Sequence, residues 1–311
     1  MRQIVRLTYR MHRFEVTAFV IAGALLVAAA FITAWRLDGA GHTAACAPSL
    51  ETGEVPPGCE ARFREFQEIA GREGAIVGGL ATIFPTIAGL LLGGPLIARE
   101  IERGTARLAW SLSPSRLRWF GHRVLPVLGL LVVGLFLVGL AADRLAASVS
   151  IGTDMSASFV GFRTRGILLA TQAVLVAATA IGLGAVLGRA VPTLFITFVL
   201  GTLLVVAVGN QHAALLVNET VRRGDETAFD PDDFQVDYRF ALPDGRLLTW
   251  NEIVAEDPSR EEFGIDYPLV ALVIPGERYR EVETREAVAH VGIALLFVAG
   301  AAGMVSRRKP A

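Results

Sequence analysis

Six long apolar runs limit what this sequence can become: residues 14–35, 74–97, 124–142, 166–187, 193–208 and 287–305. About 20 residues of α-helix cross the ~30 Å hydrocarbon core of a bilayer. A helix is one of only two structures that satisfy every backbone polar group there. The runs therefore predict an all-α polytopic membrane protein with six transmembrane helices. Composition alone says less, because 53% hydrophobic residues is a modest excess over the ~45–50% of soluble domains. The first run follows Arg2, Arg6, Arg10 and Arg13. It is too long for a signal-peptide core and has no convincing small-x-small cleavage site before Trp35, so we read it as a retained span. In the second run Gly89 and Gly93 form a G-x-x-x-G pair that allows close helix contact, and Pro85 predicts a kink.

Charge orients the runs. Residues 36–73 carry seven acids against four arginines, and residues 211–286 carry eighteen acids against eight arginines. By contrast, the N-terminal stretch, residues 98–123, Arg189 and the tail Arg307-Arg308-Lys309 are basic. Short basic segments stay on the cytoplasmic side, so both termini are expected inside a multi-pass cell membrane protein. Arg163 and Arg165, before the fourth run, go against this bias. The expected organisation is a cytoplasmic amphipathic helix over 1–13, with arginines spaced to meet lipid phosphates. Spans 1–5 occupy 14–210, with an outer loop at 36–73 and a cytoplasmic segment at 98–123. An acidic extracellular segment fills 211–286, and residues 287–311 form the sixth span and tail. The acidic segment is expected to be partly β. Alternation over Phe234–Phe240 and the Asp244-Gly245 pair read as a hairpin. Trp250–Glu256 reads as a short helix, and Leu269–Ile274 is too short to span and packs on the bundle or re-enters. Cys46 and Cys59, the only cysteines, bracket a proline-rich turn in the outer loop. They predict a disulfide worth about 3 kcal/mol of unfolded-state restriction.

The stretch between the second and third runs is the most specific. Residues 93–123 read GGPLIAREIERGTARLAWSLSPSRLRWFGHR, with Arg99, Arg103, Arg107, Arg116, Arg118 and Arg123 against Glu100 and Glu102. Pro95 should loosen the preceding helix, residues 98–102 should form a short helix of their own, and Gly104 should stop it. Ser113-Pro114-Ser115 should turn into a second basic, aromatic helix start. The order Ala98-Arg99-Glu100-Ile101-Glu102-Arg103-Gly104-Thr105, then Leu108-Ala109-Trp110, then Ser113 to Trp119, resembles the cytoplasmic coupling segment of type-2 ABC transporter permeases, in particular the small actinobacterial ABC-2 transmembrane subunits. The turn LGAVLGRAVPTLFIT around Arg189 is similar to theirs as well. The resemblance implies an elbow helix at the N-terminus and a coupling segment docked in a groove of a separate ATPase. Arg99, Glu100, Glu102, Arg103, Gly104, Thr105, Arg107, Trp110 and Arg116 would be the docking residues. It further implies a second permease copy or paralogue as partner and export of the substrate.

The chain itself shows no catalytic motif. Its one lysine, Lys309, cannot belong to a phosphate-binding G-x-x-x-x-G-K-[ST] loop, so ATP and Mg belong to the partner ATPase. No metal-ligand spacing and no G-x-S-x-G elbow occur, and nothing points to nucleic acid; membrane lipids are the other expected contact. His290, the one ionisable residue clearly inside a run, reads as a neutral bridge between helices, and Gln172 and Asn210 read as helix bridges or path-lining groups. Few charges in the spans suit a hydrophobic or amphipathic cargo. The competing function is a membrane sensor or immunity protein whose acidic outer segment binds a ligand without transport.

Overall fold

The computed structural model describes residues 12–40, 46, 54–106, 110, 115–224, 230, 232–256 and 267–307. The helix expected over 1–13 therefore falls, up to residue 11, outside the described residues. Six helices are long and apolar enough to cross a membrane: α1 (Arg13–Gly39), α3 (Ala75–Glu102), α4 (Arg116–Val149), α5 (Leu168–Leu187), α6 (Ala190–Leu216) and α8 (Tyr279–Arg307). The chain is thus a multi-pass membrane protein. A shorter helix, α2 (Glu60–Ile69), runs into α3 through a π-helical turn, Ala70–Gly74.

α5 is the axis of the bundle. Leu168, Leu169, Ala173, Leu175, Val176, Ala177, Ala178, Ala180 and Ile181 are all at most 1% exposed. It is built from small and aliphatic residues all round, as a helix enclosed by other helices must be. α3 reaches it through glycine: a Cβ on Gly89 would lie 2.7 Å from the Ala173 carbonyl oxygen, and one on Gly93 2.7 Å from that of Ala177. The G-x-x-x-G pair is therefore a backbone-to-backbone contact. α4 meets the turn before α5 in the same way, since a Cβ on Gly139 would lie 2.2 Å from the Gly166 carbonyl oxygen.

One local expectation is corrected. Helix α3 does not loosen at Pro95 and restart at Ala98; it is continuous through Pro85 and Pro95 to Glu102. Proline removes one backbone hydrogen bond, but Leu96, Ile97 and Ala98 are 0% exposed, so tertiary packing holds the helix past that loss. The stop does come at Gly104, whose φ of +71° is a conformation glycine adopts without a Cβ penalty.

At the opposite end lies a four-stranded antiparallel sheet ordered β1-β4-β2-β3, with β1 at Val221–Gly224, β2 at Phe234–Ala241, β3 at Leu247–Leu248 and β4 at Leu269–Ile274. The run Leu269–Ile274 is thus a central strand, and Val273 and Ile274 are fully buried. A bulge at Gln235–Asp237 bends β2 against it. Gly245, with φ of +85°, makes the turn between β2 and β3, and Trp250–Glu256 is helical (α7). Phe159, Phe162, Phe234 and Tyr279 stack edge-on or tilted with centroids 5.2–6.1 Å apart, which fixes the sheet to α8 and to the loop before α5. Cys46 and Cys59 are disulfide-bonded with Cα atoms 5.5 Å apart.

The Gly93 contact predicts that Gly93→Leu, forced against Ala177, destabilises the bundle by about 1–3 kcal/mol, whereas Gly292→Leu, facing open space, does not. Thermal unfolding of the two purified variants checks this; equal midpoints would show that α3 does not need this contact.

Candidate functional site

The segment that links α3 to α4 forms an elbow at one end of the bundle, and ion pairs tie it to its neighbours. Arg99 donates from Nη1 to Glu15 Oε1 at 2.7 Å, joining α3 to α1. Glu15 is buried and Arg99 partly exposed. Glu100 is 4% exposed and pairs with Arg123 Nη2 at 3.1 Å, joining α3 to α4. Glu102 Oε2 accepts the backbone N–H of Ala190 at 3.0 Å. That amide is an orphan donor at the start of α6, where a carboxylate also suits the helix dipole. Three acids thus connect α3 to three other helices within about one turn of α3. His12, beside Glu15, is buried. Burial first, then Arg123 and Arg99, hold its pKa below the ordinary histidine value against the pull of Glu15, so it stays neutral.

Beyond Glu102 the chain turns outward. Arg103, Gly104 and Thr105 are exposed. The Gly104 N–H donates to the Ile101 carbonyl at 3.1 Å, and the Thr105 hydroxyl to the Glu100 carbonyl at 3.2 Å, which close the helix end. Arg107 lies outside the described residues. Trp110 meets Trp119 edge-on at 5.8 Å and carries the Arg116 guanidinium over its ring at 5.1 Å. Arg116 Nη1 also donates to the Ser306 carbonyl at the end of α8 at 3.3 Å. Ser115 caps α4 by accepting the Arg118 N–H at 3.1 Å, and Arg118 is exposed.

The candidate docking residues that are described are therefore not one surface. Glu100 is turned inward, Arg99 and Glu102 are shared between the bundle and the outside, and Arg103, Gly104 and Thr105 face outward. The pairs through Glu15 and Arg123 were not legible beforehand, because their partners stand 84 and 23 positions away in sequence.

A second charged layer lies at the sheet end. Glu286 is 1% exposed. It accepts from Arg163 Nε at 2.7 Å and Nη2 at 2.9 Å and lies 3.0 Å from His212 Nδ1. Arg163 holds φ of +70°, a costly backbone for an arginine, secured by a further bond from Nη2 to the Gly209 carbonyl at 2.8 Å. Arg165 is 3% exposed. It pairs with Asp143 at 2.8 Å, donates to the carbonyls of Val160, Met155 and Ser158, and lies 4.3 Å over the Tyr279 ring. The two arginines that run against the charge bias are thus internal clamps, not free cations. His290 is fully buried, with Nδ1 3.3 Å from the Thr171 hydroxyl, a bridge between α8 and α5. Gln172 Nε2 donates to the Arg163 carbonyl at 3.3 Å, while Asn210 is exposed. Among the described residues no group of three His, Cys, Asp or Glu side chains is placed to hold a metal.

Comparison with known sequences matches residues 16–212 to the family described as ABC-2 membrane transporter related. No curated protein and no solved structure matches the chain.

The Glu100–Arg123 pair yields a test of how the elbow is held. Removing one partner strands a buried charge, so Arg123→Met should cost about 3–5 kcal/mol. Adding Glu100→Gln should recover most of that loss. Thermal unfolding of the two single variants and the double variant measures the coupling, and additive losses would mean the two side chains do not depend on each other.

Proposed function

We propose that this chain, which belongs to the ABC-2 membrane transporter related family, is the membrane subunit of an ATP-driven transporter and that its elbow receives the motion of a separate ATPase. Family membership implies a transporter permease and, in general, an ATPase partner. The finer assignments are ours. The elbow end is cytoplasmic, the sheet end is outside, and the chain works in a bacterial plasma membrane with a second copy or a paralogue. ATP and Mg bind the partner ATPase, and the cargo is hydrophobic or amphipathic and exported. The resemblance to small actinobacterial permeases over residues 98–119 supports the docking role.

One observation carries the reading: the exposed turn Arg103–Thr105 directly follows three side chains that each pin a different helix. A force applied at Arg103 reaches α1 through Arg99, α4 through Glu100 and α6 through Glu102. In this scheme charges on the exposed turn set the fit and register with the ATPase more than the affinity. Gly104 permits the break that presents them, and a side chain at its positive φ costs on the order of 1 kcal/mol or more.

Three outcomes follow. Arg103→Glu and Gly104→Val should insert and pair normally but lose nucleotide-driven transport, whereas Glu102→Arg should additionally lower stability by about 1 kcal/mol, the value of a helix cap. Co-purified ATPase, ATP turnover and transport in vesicles are the measurements; full transport in Arg103→Glu, or no ATPase captured with the unaltered chain, would overturn the coupling role. Separately, Asn251→Cys on exposed α7 should react with an impermeant maleimide in intact cells. Reaction only after permeabilisation would reverse the orientation.

A further inference from the structure

Helices α5 and α8 touch at Gly182, where a Cβ would lie 3.1 Å from Phe297 Cδ1. From there toward the elbow end a groove opens between them, about 660 Å³ in volume, lined by Ala185, Val186, Gly300, Gly303, Met304 and Arg307. The two glycines of α8 keep it open, since no heavy atom lies within 4 Å of where a Cβ would stand on either. The opposite face of the same helix is firmly seated: Ala301 and Val305 are each 1% exposed and belong to the main core.

The chemistry of the groove selects its occupant. Five of its six lining residues are apolar or glycine, a surface that is better covered by hydrocarbon than by water. A bilayer supplies acyl chains at that depth. The sixth residue is Arg307, exposed in the last turn of α8. The carboxylates of this end are already engaged with Arg99, Arg123 and the Ala190 amide. An exposed guanidinium at the mouth of such a slot, in the last turn of a membrane-spanning helix, matches a phosphate, which it grips with paired N–H donors. The positive charge of Arg307 favours a lipid with net negative charge over a zwitterionic one.

We propose that this groove binds one anionic phospholipid, with an acyl chain along Gly300 and Gly303 and the phosphate on Arg307. The site stands apart from the transport reading and holds whichever way the chain is oriented.

The test uses the full-length protein, stripped of lipid in detergent and titrated with phosphatidylglycerol or phosphatidylcholine, with bound lipid counted by native mass spectrometry. Phosphatidylglycerol should bind more tightly. Arg307→Gln should weaken it about fivefold, the effect of one basic residue at an anionic surface, and leave phosphatidylcholine nearly unchanged. Gly303→Leu, which projects into open space and is a better helix former, should displace both lipids without lowering the unfolding temperature. Equal binding of the two lipids by the unaltered protein would overturn the proposal, as would an Arg307→Gln variant that binds phosphatidylglycerol undiminished. So would a Gly303→Leu variant that changes the oligomeric state yet keeps its lipid, because the groove would then be a protein interface.

Discussion

The contact of α3 on α5 is the constraint on which the other elements depend. In lipid no hydrophobic force pulls helices together, so their association rests on close packing and on hydrogen bonds. Gly89 and Gly93 bring the α3 backbone against the carbonyls of Ala173 and Ala177. Gly184 repeats the arrangement further along, where its Cβ would meet Ala98 at 3.3 Å. This ladder of small residues places α5 inside the bundle, and the remaining spans then have an enclosed axis to pack on. It also sets the height of Arg99, Glu100 and Glu102, which stand directly beyond the last rung.

Ionised side chains occupy both ends of that packed column, and their energetics differ from those of the ladder. A buried ion pair seldom stabilises more than an apolar pair of the same shape, but a broken one is costly. Glu100–Arg123 at one end and Glu286–Arg163 at the other therefore act as selectors of one arrangement. Each favours a single alignment of the elements it joins, because a slip leaves a carboxylate in a dry environment.

The sequence disclosed the spans because each is long and apolar, and it disclosed the glycine stop because Gly104 follows a charged helix end. The sheet was legible only at its turn and at β2, where polar and apolar residues alternate. The strand Leu269–Ile274 is apolar throughout, so its period says nothing, and only its pairing with both β1 and β2 explains the burial. The fate of Pro95 was misjudged for a related reason: local propensity favours a break, but the helix is enclosed on the side that matters. Of the elbow, the charges were visible and their use was not. Glu100 and Glu102 differ by two positions, which on a helix places them on different faces, and the tertiary contacts decide that one is buried and the other caps α6.

These features give α3 an unusual reach along the bundle. The helix is unbroken from Glu102 to Ala75 and continues through the π turn Ala70–Gly74 into α2. The extra residue of a π turn interrupts the regular hydrogen-bond ladder and is frequent at functional positions. At the far end Glu73 is paired with Arg36 of α1, and Asp38 of α1 with Arg144 of α4. The same three helices, α1, α3 and α4, are thus joined by ion pairs at the elbow end and again near the π turn. Sliding α3 alone past α1 would break a pair at each end, although the pairs near the π turn are solvent-exposed and individually weak. On the coupling reading proposed above, a displacement begun at Arg103 would rotate the three helices as a body against α5 or be taken up at the π turn. The glycine faces of α3 against α5 allow the first motion, since they present no side chains that would have to change rotamer as the helices turn.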